Sequence, residues 1–205
     1  MRMARNQSRW KWALALVLVA IVAGIVFVFL PRLLVASANT ASANVILHFA
    51  TTSRHNSADD YVVQLYQQNL AKKIVCISRG EACGVYPADD TRRRLLAMGI
   101  PAEDVLTLYL PYADCVAPNL PRIIEMVRAN GWQQSLMVLS PTRSRVTGNI
   151  AAKYFQQAGL GLTITYSPQA YQEVTTRWWA DHQKAQATTE AIISTFLDPL
   201  YAECR

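Results

Sequence analysis

The sequence predicts a doubly wound α/β domain with a mostly parallel five-stranded sheet, preceded by one transmembrane helix. From Asn44 onward, short apolar runs of β type alternate with longer amphipathic runs. This alternation is typical of parallel strands joined by helices that cover both faces of a sheet. Upstream, no charged residue lies between Trp12 and Leu30, and about 20 apolar residues suffice for a helix to cross a bilayer.

The charges around the apolar run set the expected membrane topology. Four basic residues and no acidic one precede it: Arg2, Arg5, Arg9 and Lys11. This bias keeps the N-terminus cytoplasmic, so we expect a single-pass protein of the bacterial inner membrane with its main domain in the periplasm. The expected organisation is a cytoplasmic basic leader at 1–11, a transmembrane signal-anchor helix at 12–31, a tether at 32–43 and an exported α/β domain at 44–205.

Cleavage of the apolar segment as a signal peptide is the alternative to an anchor. The Ala-Ser-Ala triplets at 36–38 and 41–43 have the small-x-small pattern that signal peptidase accepts. However, the apolar stretch of a signal peptide is typically about 7–15 residues long, shorter than this run. Arg32 also lies between the run and the nearer triplet. The length favours retention, and both outcomes stay open.

The basic character of the chain belongs mostly to its N-terminal segment. The sequence has a pI of about 9.3, but five of its 20 Lys and Arg residues lie at or before Arg32, and the first acidic residue is Asp59. The remaining 15 basic residues face 14 acidic ones. Phosphate backbones bind basic charge that is gathered on a folded domain. Nucleic acid is therefore not an expected partner.

The predicted elements follow in regular order through the exported domain. The strand-like runs are NVILHFA, KIVCIS, DVLTLYL, SLMVLS and LTITYS. The helical runs that follow them are ADDYVVQLYQQNLA, ADDTRRRLLAMG, NLPRIIEMVRANG, TGNIAAKYFQQAG and a long closing run, DHQKAQATTEAIISTFLDPLYAE. Asp59 and Asp60 suit the first turn of the first helix, and Gly99, Gly131 and Gly159 suit helix ends.

Four loops at the carboxyl edge of the predicted sheet are the candidate ligand site, because ligands of open parallel sheets bind there. They are Phe49 to Asn56, Ser78 to Tyr86, Tyr112 to Asn119, and Ser140 to Arg145. The side chains in them that suit an anionic or hydroxyl-rich group are Thr51, Thr52, Arg54, Ser78, Arg79, Glu81, Ser140, Arg143 and Arg145. The two last arginines begin a helix, where backbone N–H groups and guanidinium groups can hold a phosphate or carboxylate; ordinary solvated arginines are the alternative.

Motifs for catalysis or cofactor binding are missing from the sequence. There is no Gly-x-Gly-x-x-Gly turn for a dinucleotide, no Gly-x-Ser-x-Gly elbow, and no cluster with metal-ligand spacing. Of the three histidines, His48 lies within a predicted strand and is expected in the core, His182 begins the closing helix, and only His55 lies on a candidate loop. We expect no cofactor and no metal, and binding rather than catalysis.

Four cysteines, Cys76, Cys83, Cys115 and Cys204, fit an oxidising compartment. Cys83 and Cys115 fall in loops at the same sheet edge, so a disulfide between them is a hypothesis, although spacing alone does not fix connectivity. Cys76 lies in the middle of a predicted strand and is expected to be buried as a small apolar residue.

The order of elements resembles the SanA/ElyC/YdcF-like family of bacterial envelope proteins, a Rossmann-like domain behind a membrane anchor. The likeness covers roughly Asn44 to the C-terminus. Its most specific pieces are GIPAEDVL and LSPTRSR, and AKKIVCISRGE, GNIAAKYFQQAG and TTRWWAD also match. The resemblance implies a role in envelope assembly or barrier maintenance.

The chain departs from the family at the usual motif positions. HFATTS replaces a Gly-rich turn, and Val116-Ala117-Pro118-Asn119 replaces a Thr-x-Glu-Asn motif, of which only Asn119 remains. The resemblance adds Asn119 to the candidate ligand residues. In the fourth loop, Arg143 takes the place of the family histidine and Arg145 matches an arginine. A remodelled family site is the expectation.

Three functions are considered at this stage, and an enzyme, conceivable by fold analogy only as a phosphoesterase or nucleotide-handling activity, is the least favoured. The first is an inner-membrane-anchored envelope factor whose periplasmic domain binds a phosphorylated or carboxylated small ligand. The alternative is a non-catalytic accessory subunit of a membrane protein complex with a vestigial site. Its expected partners are membrane proteins, and Trp132, Trp178 and Trp179 are candidate contact residues. Both functions place the chain in the inner membrane lipid bilayer.

Overall fold

A computed structural model describes residues 16–22, 24–25, 35–50, 57–79, 86–111, 117–176, 182, 185–186 and 189. The strands are β1 (Val45–Phe49), β2 (Lys73–Arg79), β3 (Val105–Leu110), β4 (Gln134–Val138) and β5 (Gly161–Thr165). The helices that follow them are α1 (Ser57–Gln67), α2 (Pro87–Ala97), α3 (Leu120–Ala129), α4 (Pro141–Gln157) and α5 (Pro168–Thr175). Short 3-10 helices occupy Ala102–Asp104 and Ala117–Asn119.

The five strands form one parallel sheet in the order β3-β2-β1-β4-β5. The prediction of an α/β chain with a five-stranded parallel sheet is thus confirmed. The chain builds outward from β1 to β3 and then returns to β4 on the other side of β1. The strand order therefore reverses between β1 and β4, as in a Rossmann-like fold, and this is where such sheets bind ligands.

Helices cover both faces of the sheet because successive strand residues alternate between two cores. One core packs against α3 and α4 and contains Val45, Leu47, Val75, Ile77 and Met137, with Ile123, Val127 and Phe155 from the helices. The other packs against α1 and α2 and contains Ile46, Ile74, Cys76, Leu136 and Val138, with Val62, Leu65 and Leu95. The expected burial of Cys76 is confirmed, since its side chain is fully enclosed as a free thiol.

The helix ends follow the local chemistry of the sequence. Asp59 and Asp60 lie in the first turn of α1, near the positive end of the helix dipole. Gly99 and Gly131 follow α2 and α3 with φ of 91° and 69°. A residue with a β-carbon is strained in this left-handed region, and glycine is not, so these glycines end the helices as predicted.

The N-terminal residues are described only in part. Residues 16–22 and 24–25 are helical, and the rest of the predicted span at 12–31 lies outside the described residues. Within the described part of the chain, no helix combines the length and the apolar character needed to span a bilayer. Further along, residues 35–43 of the predicted tether lie against the domain and donate backbone hydrogen bonds to it.

Candidate functional site

The turn between β4 and α4 lies beside the reversal of strand order. Ser140 precedes the helix in an extended conformation and Pro141 opens it. The Ser140 side chain does not cap the helix; its Oγ lies 3.1 Å from Thr142 Oγ1 instead. The first turn of α4 contains no acidic residue. Pro141 has no N–H, and the Arg143 N–H donates to the Ser140 carbonyl at 3.0 Å. The helix dipole still makes this end electropositive, which suits an anion.

The two arginines of this turn have different surroundings. Both side chains are exposed, but residues two positions apart lie on different sides of a helix. Arg145 donates from Nη2 to the backbone carbonyl of Val35 at 3.2 Å. The Arg143 side chain makes no ion pair or hydrogen bond with any residue that the structure describes. Arg145 therefore holds the N-terminal segment, whereas Arg143 is an exposed arginine that holds none of the described residues.

The other predicted ligand residues do not join this group. Ser78 is buried near the carboxyl end of β2, on the α1 and α2 face, and its Oγ has no hydrogen-bond partner among the described residues. Asn119 is buried at the beginning of α3, on the opposite face. Arg79 ends β2 with its side chain outside the description. Five predicted positions lie wholly outside the described residues: Thr51, Thr52, Arg54, Glu81 and His55. The proposed Cys83–Cys115 disulfide lies outside them as well.

A buried ionic cluster lies on the α1 and α2 face, and no sequence pattern pointed to it. The carboxylate of Asp59 accepts from His48 Nε2 at 2.7 Å and from Arg94 Nε at 2.7 Å. His48 and Asp59 are both 1% exposed. Arg94 also donates to Thr91 Oγ1 at 2.9 Å and forms an ion pair with Asp90. The expected core position of His48 is confirmed, but its environment is ionic as well as apolar.

The cluster changes the acidity of the groups within it. Burial alone would raise the pKa of Asp59, but the hydrogen bonds and charges of His48 and Arg94 together bring it below its ordinary value. Burial raises the pKa of the neighbouring Cys76 thiol to about 12, and the Asp59 charge acts in the same direction. Asp59 is thus held as a carboxylate and Cys76 as a neutral thiol.

A groove lies between α3, along which it extends from Pro121 to Ala129, and the C-terminal end of α4. Its volume is about 660 Å³, and its walls include Ile124, Arg128, Tyr154 and Gln157. Arg128 donates from Nη2 to the carbonyl of Ala158 at 2.6 Å across one end of it. The groove therefore contains none of the predicted ligand residues.

Comparison with known proteins adds no assignment to this geometry. No protein-family model matches the chain, and a search of curated proteins finds no match. The resemblance to the SanA/ElyC/YdcF-like family therefore stays a prediction.

Ser140, Arg143 and Arg145 all belong to the beginning of α4, although the two arginines lie on different sides of the helix. His48 lies on the other side of the sheet with Nε2 already bonded to Asp59. Among the described residues, the β4–α4 turn therefore offers donors for an anion but no histidine that could move a proton.

Proposed function

We propose that this protein is an inner-membrane-anchored envelope factor whose periplasmic Rossmann-like domain binds an anionic, envelope-related ligand at the β4–α4 turn. The observation that carries the proposal is the beginning of α4: it has no acidic residue, no side-chain cap and a solvent-exposed Arg143. The apolar run from Trp12 to Leu30 supports the anchor. The element order supports the envelope family by resemblance.

The position of the turn supports a ligand there on general grounds. In open parallel sheets, strands on either side of the order reversal leave a crevice beyond their carboxyl ends, because their following helices pack on opposite faces. Here β1 is followed by α1 on one face, and β4 by α4 on the other. The N–H groups of α4 and the Arg143 guanidinium border that crevice, so phosphate or carboxylate is the favoured ligand chemistry.

Binding of inorganic pyrophosphate to the full-length chain in mild detergent tests the ligand proposal. We expect pyrophosphate to raise the midpoint of thermal unfolding, since a ligand of the folded state stabilises it. Replacement of Arg143 by Ala should weaken binding roughly tenfold or more, because a hydrogen bond to a charged group contributes about 1.5–3 kcal/mol. Lys153→Ala is the matched control: it removes the same charge from an exposed position ten residues further along α4.

Two results would contradict the ligand proposal. One is the absence of any shift with pyrophosphate and with a lipid pyrophosphate. The other is equal loss of binding in Arg143→Ala and Lys153→Ala, which would indicate a general effect of charge rather than a site.

An accessory subunit of a membrane complex is the second candidate. The exposed pair Tyr86 and Tyr109 supports it, since each side chain is 39% exposed and the ring centroids lie 4.6 Å apart, and tyrosine is enriched in interfaces. Trp132 supports it less, because it packs partly buried against the α3 and α4 core. Purification in mild detergent separates the two: a stoichiometric protein partner favours the subunit, and a lone chain favours the envelope factor.

A further inference from the structure

The N-terminal segment, defined here as residues 35–44, is attached to the beginning of α4. The backbone N–H of Ala36 donates to Ser144 Oγ at 3.0 Å. Arg145 donates to the carbonyl of Val35 at 3.2 Å, and the Val35 side chain is buried. Because α4 follows β4, these contacts lie at the carboxyl edge of the sheet. The end of the segment nearest the apolar run is therefore at the ligand edge.

The same segment finishes at the opposite edge. Asn39 donates its backbone N–H to the carbonyl of Ile164 in β5 at 3.3 Å. Asn44 donates to the carbonyl of Gln134, the first residue of β4, at 2.8 Å, and its Oδ1 accepts from two consecutive backbone N–H groups there. The segment thus runs from the carboxyl edge to the amino edge, opposite in direction to the strands. Its fixed path determines which edge of the domain is nearer the apolar run.

Covalent geometry limits how far that edge can lie from a membrane. Four residues separate Leu30, the last residue of the apolar run, from Val35. Five fully extended steps reach at most about 17 Å, so Val35 lies within about 17 Å of the end of the apolar run. Arg145 contacts Val35 and is therefore only one hydrogen bond further from the hydrocarbon core. The headgroup layer itself is about 5–7 Å deep on each side. The amino edge lies one strand length from the carboxyl edge, about 17 Å for a five-residue strand.

The exposed aromatic residues of the domain agree with this orientation. Among the described residues between 35 and 176, three large apolar or aromatic side chains are notably exposed: Tyr86, Met98 and Tyr109. Tyr86 immediately precedes α2 and Tyr109 lies near the end of β3, so both belong to the carboxyl edge. Tyrosine is enriched at the boundary between membrane and water, where its ring and hydroxyl are both accommodated.

We propose that the N-terminal segment holds the carboxyl edge of the sheet toward the membrane, so that Arg143 and Arg145 lie at the level of anionic lipid headgroups. This inference rests on the proposed function, because it requires the anchor at 12–31. Basic residues are attracted to an anionic membrane surface within a Debye length, about 8 Å at physiological salt. A ligand of the β4–α4 turn then arrives from the bilayer surface, which favours a lipid-linked anion over a soluble one.

Site-specific photocrosslinking in proteoliposomes tests the orientation. Benzoylphenylalanine is placed at position 143 or at position 157 of the full-length chain, in vesicles of phosphatidylglycerol and phosphatidylethanolamine. Both positions are exposed on α4, and 14 residues of helix place them about 21 Å apart. The same two variants are reconstituted in phosphatidylcholine alone, and lipid adducts are quantified by mass spectrometry.

The expected result is several-fold more lipid adduct at position 143 than at position 157, with a lower yield at 143 in phosphatidylcholine. Equal yields of lipid adduct at the two positions would overturn the orientation. If alkaline carbonate does not release that protein from the vesicles, the anchor is still supported. An undiminished yield in phosphatidylcholine would overturn the part given to Arg145, the arginine of the turn that this variant retains. Release of the full-length chain by carbonate would instead contradict the anchor, and with it the proposed function.

A longer linker separates the effect of the N-terminal segment from that of the domain surface. Inserting about 12 Gly and Ser residues between Leu34 and Val35 preserves the docked segment and adds roughly 19 Å of mean reach. We expect the preference for position 143 to fall markedly. An unchanged preference would show that the surface alone orients the domain, which contradicts the role assigned to the segment.

Discussion

Replacing Asp59 by Ala should destabilise the domain more than almost any other change to a charged residue. The side chain is 1% exposed, and its two oxygens accept from His48 Nε2 and Arg94 Nε, both at 2.7 Å. Alanine removes both acceptors at once. The buried imidazole of His48 then loses its carboxylate partner, and the largely buried guanidinium of Arg94 keeps its ion pair with Asp90 but loses the buried one. This costs far more than a missing surface ion pair.

The expected loss follows from the burial of the pair. Removing one partner of a buried ion pair costs about 3–5 kcal/mol, whereas a whole domain is stable by about 5–15 kcal/mol. Asp59→Asn should cost less, about 1–3 kcal/mol. The amide oxygen of the new side chain in this variant can accept from Arg94. Its NH₂ group can donate to His48 Nε2 if the imidazole carries its proton on Nδ1. In the described part of the chain, Nδ1 makes no hydrogen bond that this tautomer would break. The order of stability is therefore wild type, then Asn, then Ala.

Urea unfolding of the full-length chain in mild detergent, followed by far-ultraviolet circular dichroism, measures these differences. Asp60→Ala is the matched control, since Asp60 is the next residue in the same first turn and is exposed. It removes the same helix-dipole interaction, which contributes at most about 1 kcal/mol at the surface. The difference between the two alanine variants therefore isolates the buried contacts.

The pH dependence has a definite sign. The pKa of Asp59 is lowered by folding from its ordinary value of 3.8, so its contribution is complete above that value and is lost as the pH falls through the folded-state pKa. The gap between wild type and Asp59→Ala should narrow on acidification below about pH 4. If Asp59→Ala were no less stable than Asp60→Ala at neutral pH, the buried cluster would not have the energetic role assigned to it.

Two further outcomes concern groups whose pKa is raised by folding. Tyr66→Phe should cost about 1 kcal/mol, the usual contribution of one hydrogen bond, because the Tyr66 hydroxyl donates to the Asp104 carboxylate that Lys73 also binds. The pKa of Tyr66 is raised to about 12. In urea titrations, the difference in unfolding free energy between wild type and Tyr66→Phe should therefore be constant below about pH 10 and shrink above it. A difference that grows with pH would be inconsistent with this contact. Cys76 is fully buried and its thiol pKa is raised to about 12. It should therefore resist maleimide in the native chain at neutral pH and react after unfolding, as peptide mapping would show. Rapid labelling of the native chain would contradict the buried position of Cys76 in β2.

The fold was predictable because both faces of the sheet are covered. A strand buried on both sides is apolar along its whole length, as in Ile74–Val75–Cys76–Ile77, so each strand stands out from the amphipathic helix that follows it. The same rule located the β4–α4 turn, since the carboxyl edge of a parallel sheet follows from strand direction alone. It also selected Ser140 and Arg143 as candidate ligand residues, and their role in binding stays a prediction.

The partners of the polar residues were not predictable, because they depend on contacts distant in sequence. Asp59 meets a histidine 11 residues before it and an arginine 35 residues after it. Arg145 meets a carbonyl 110 residues before it. Ser78 was assigned to the ligand loops, yet the alternation of β2 directs it into the α1 and α2 face. Which face a residue at a strand end occupies depends on where the regular strand stops, and composition does not reveal this.

The long-range polar contacts nevertheless bear on the candidate site. His48 precedes the first candidate loop and Asp59 follows it, so the 2.7 Å bond between them fixes the distance between the two ends of that loop. On the other side of the strand-order reversal, the bond from Arg145 to Val35 fixes the beginning of α4 to the N-terminal segment. Each side of the strand-order reversal is thus held by a charged hydrogen bond, one made outside the first loop and one made by Arg145 at the end of the fourth. A site of this kind can be preorganised for an anion without any catalytic motif in its sequence, because the framework supplies the geometry and the helix end supplies the charge.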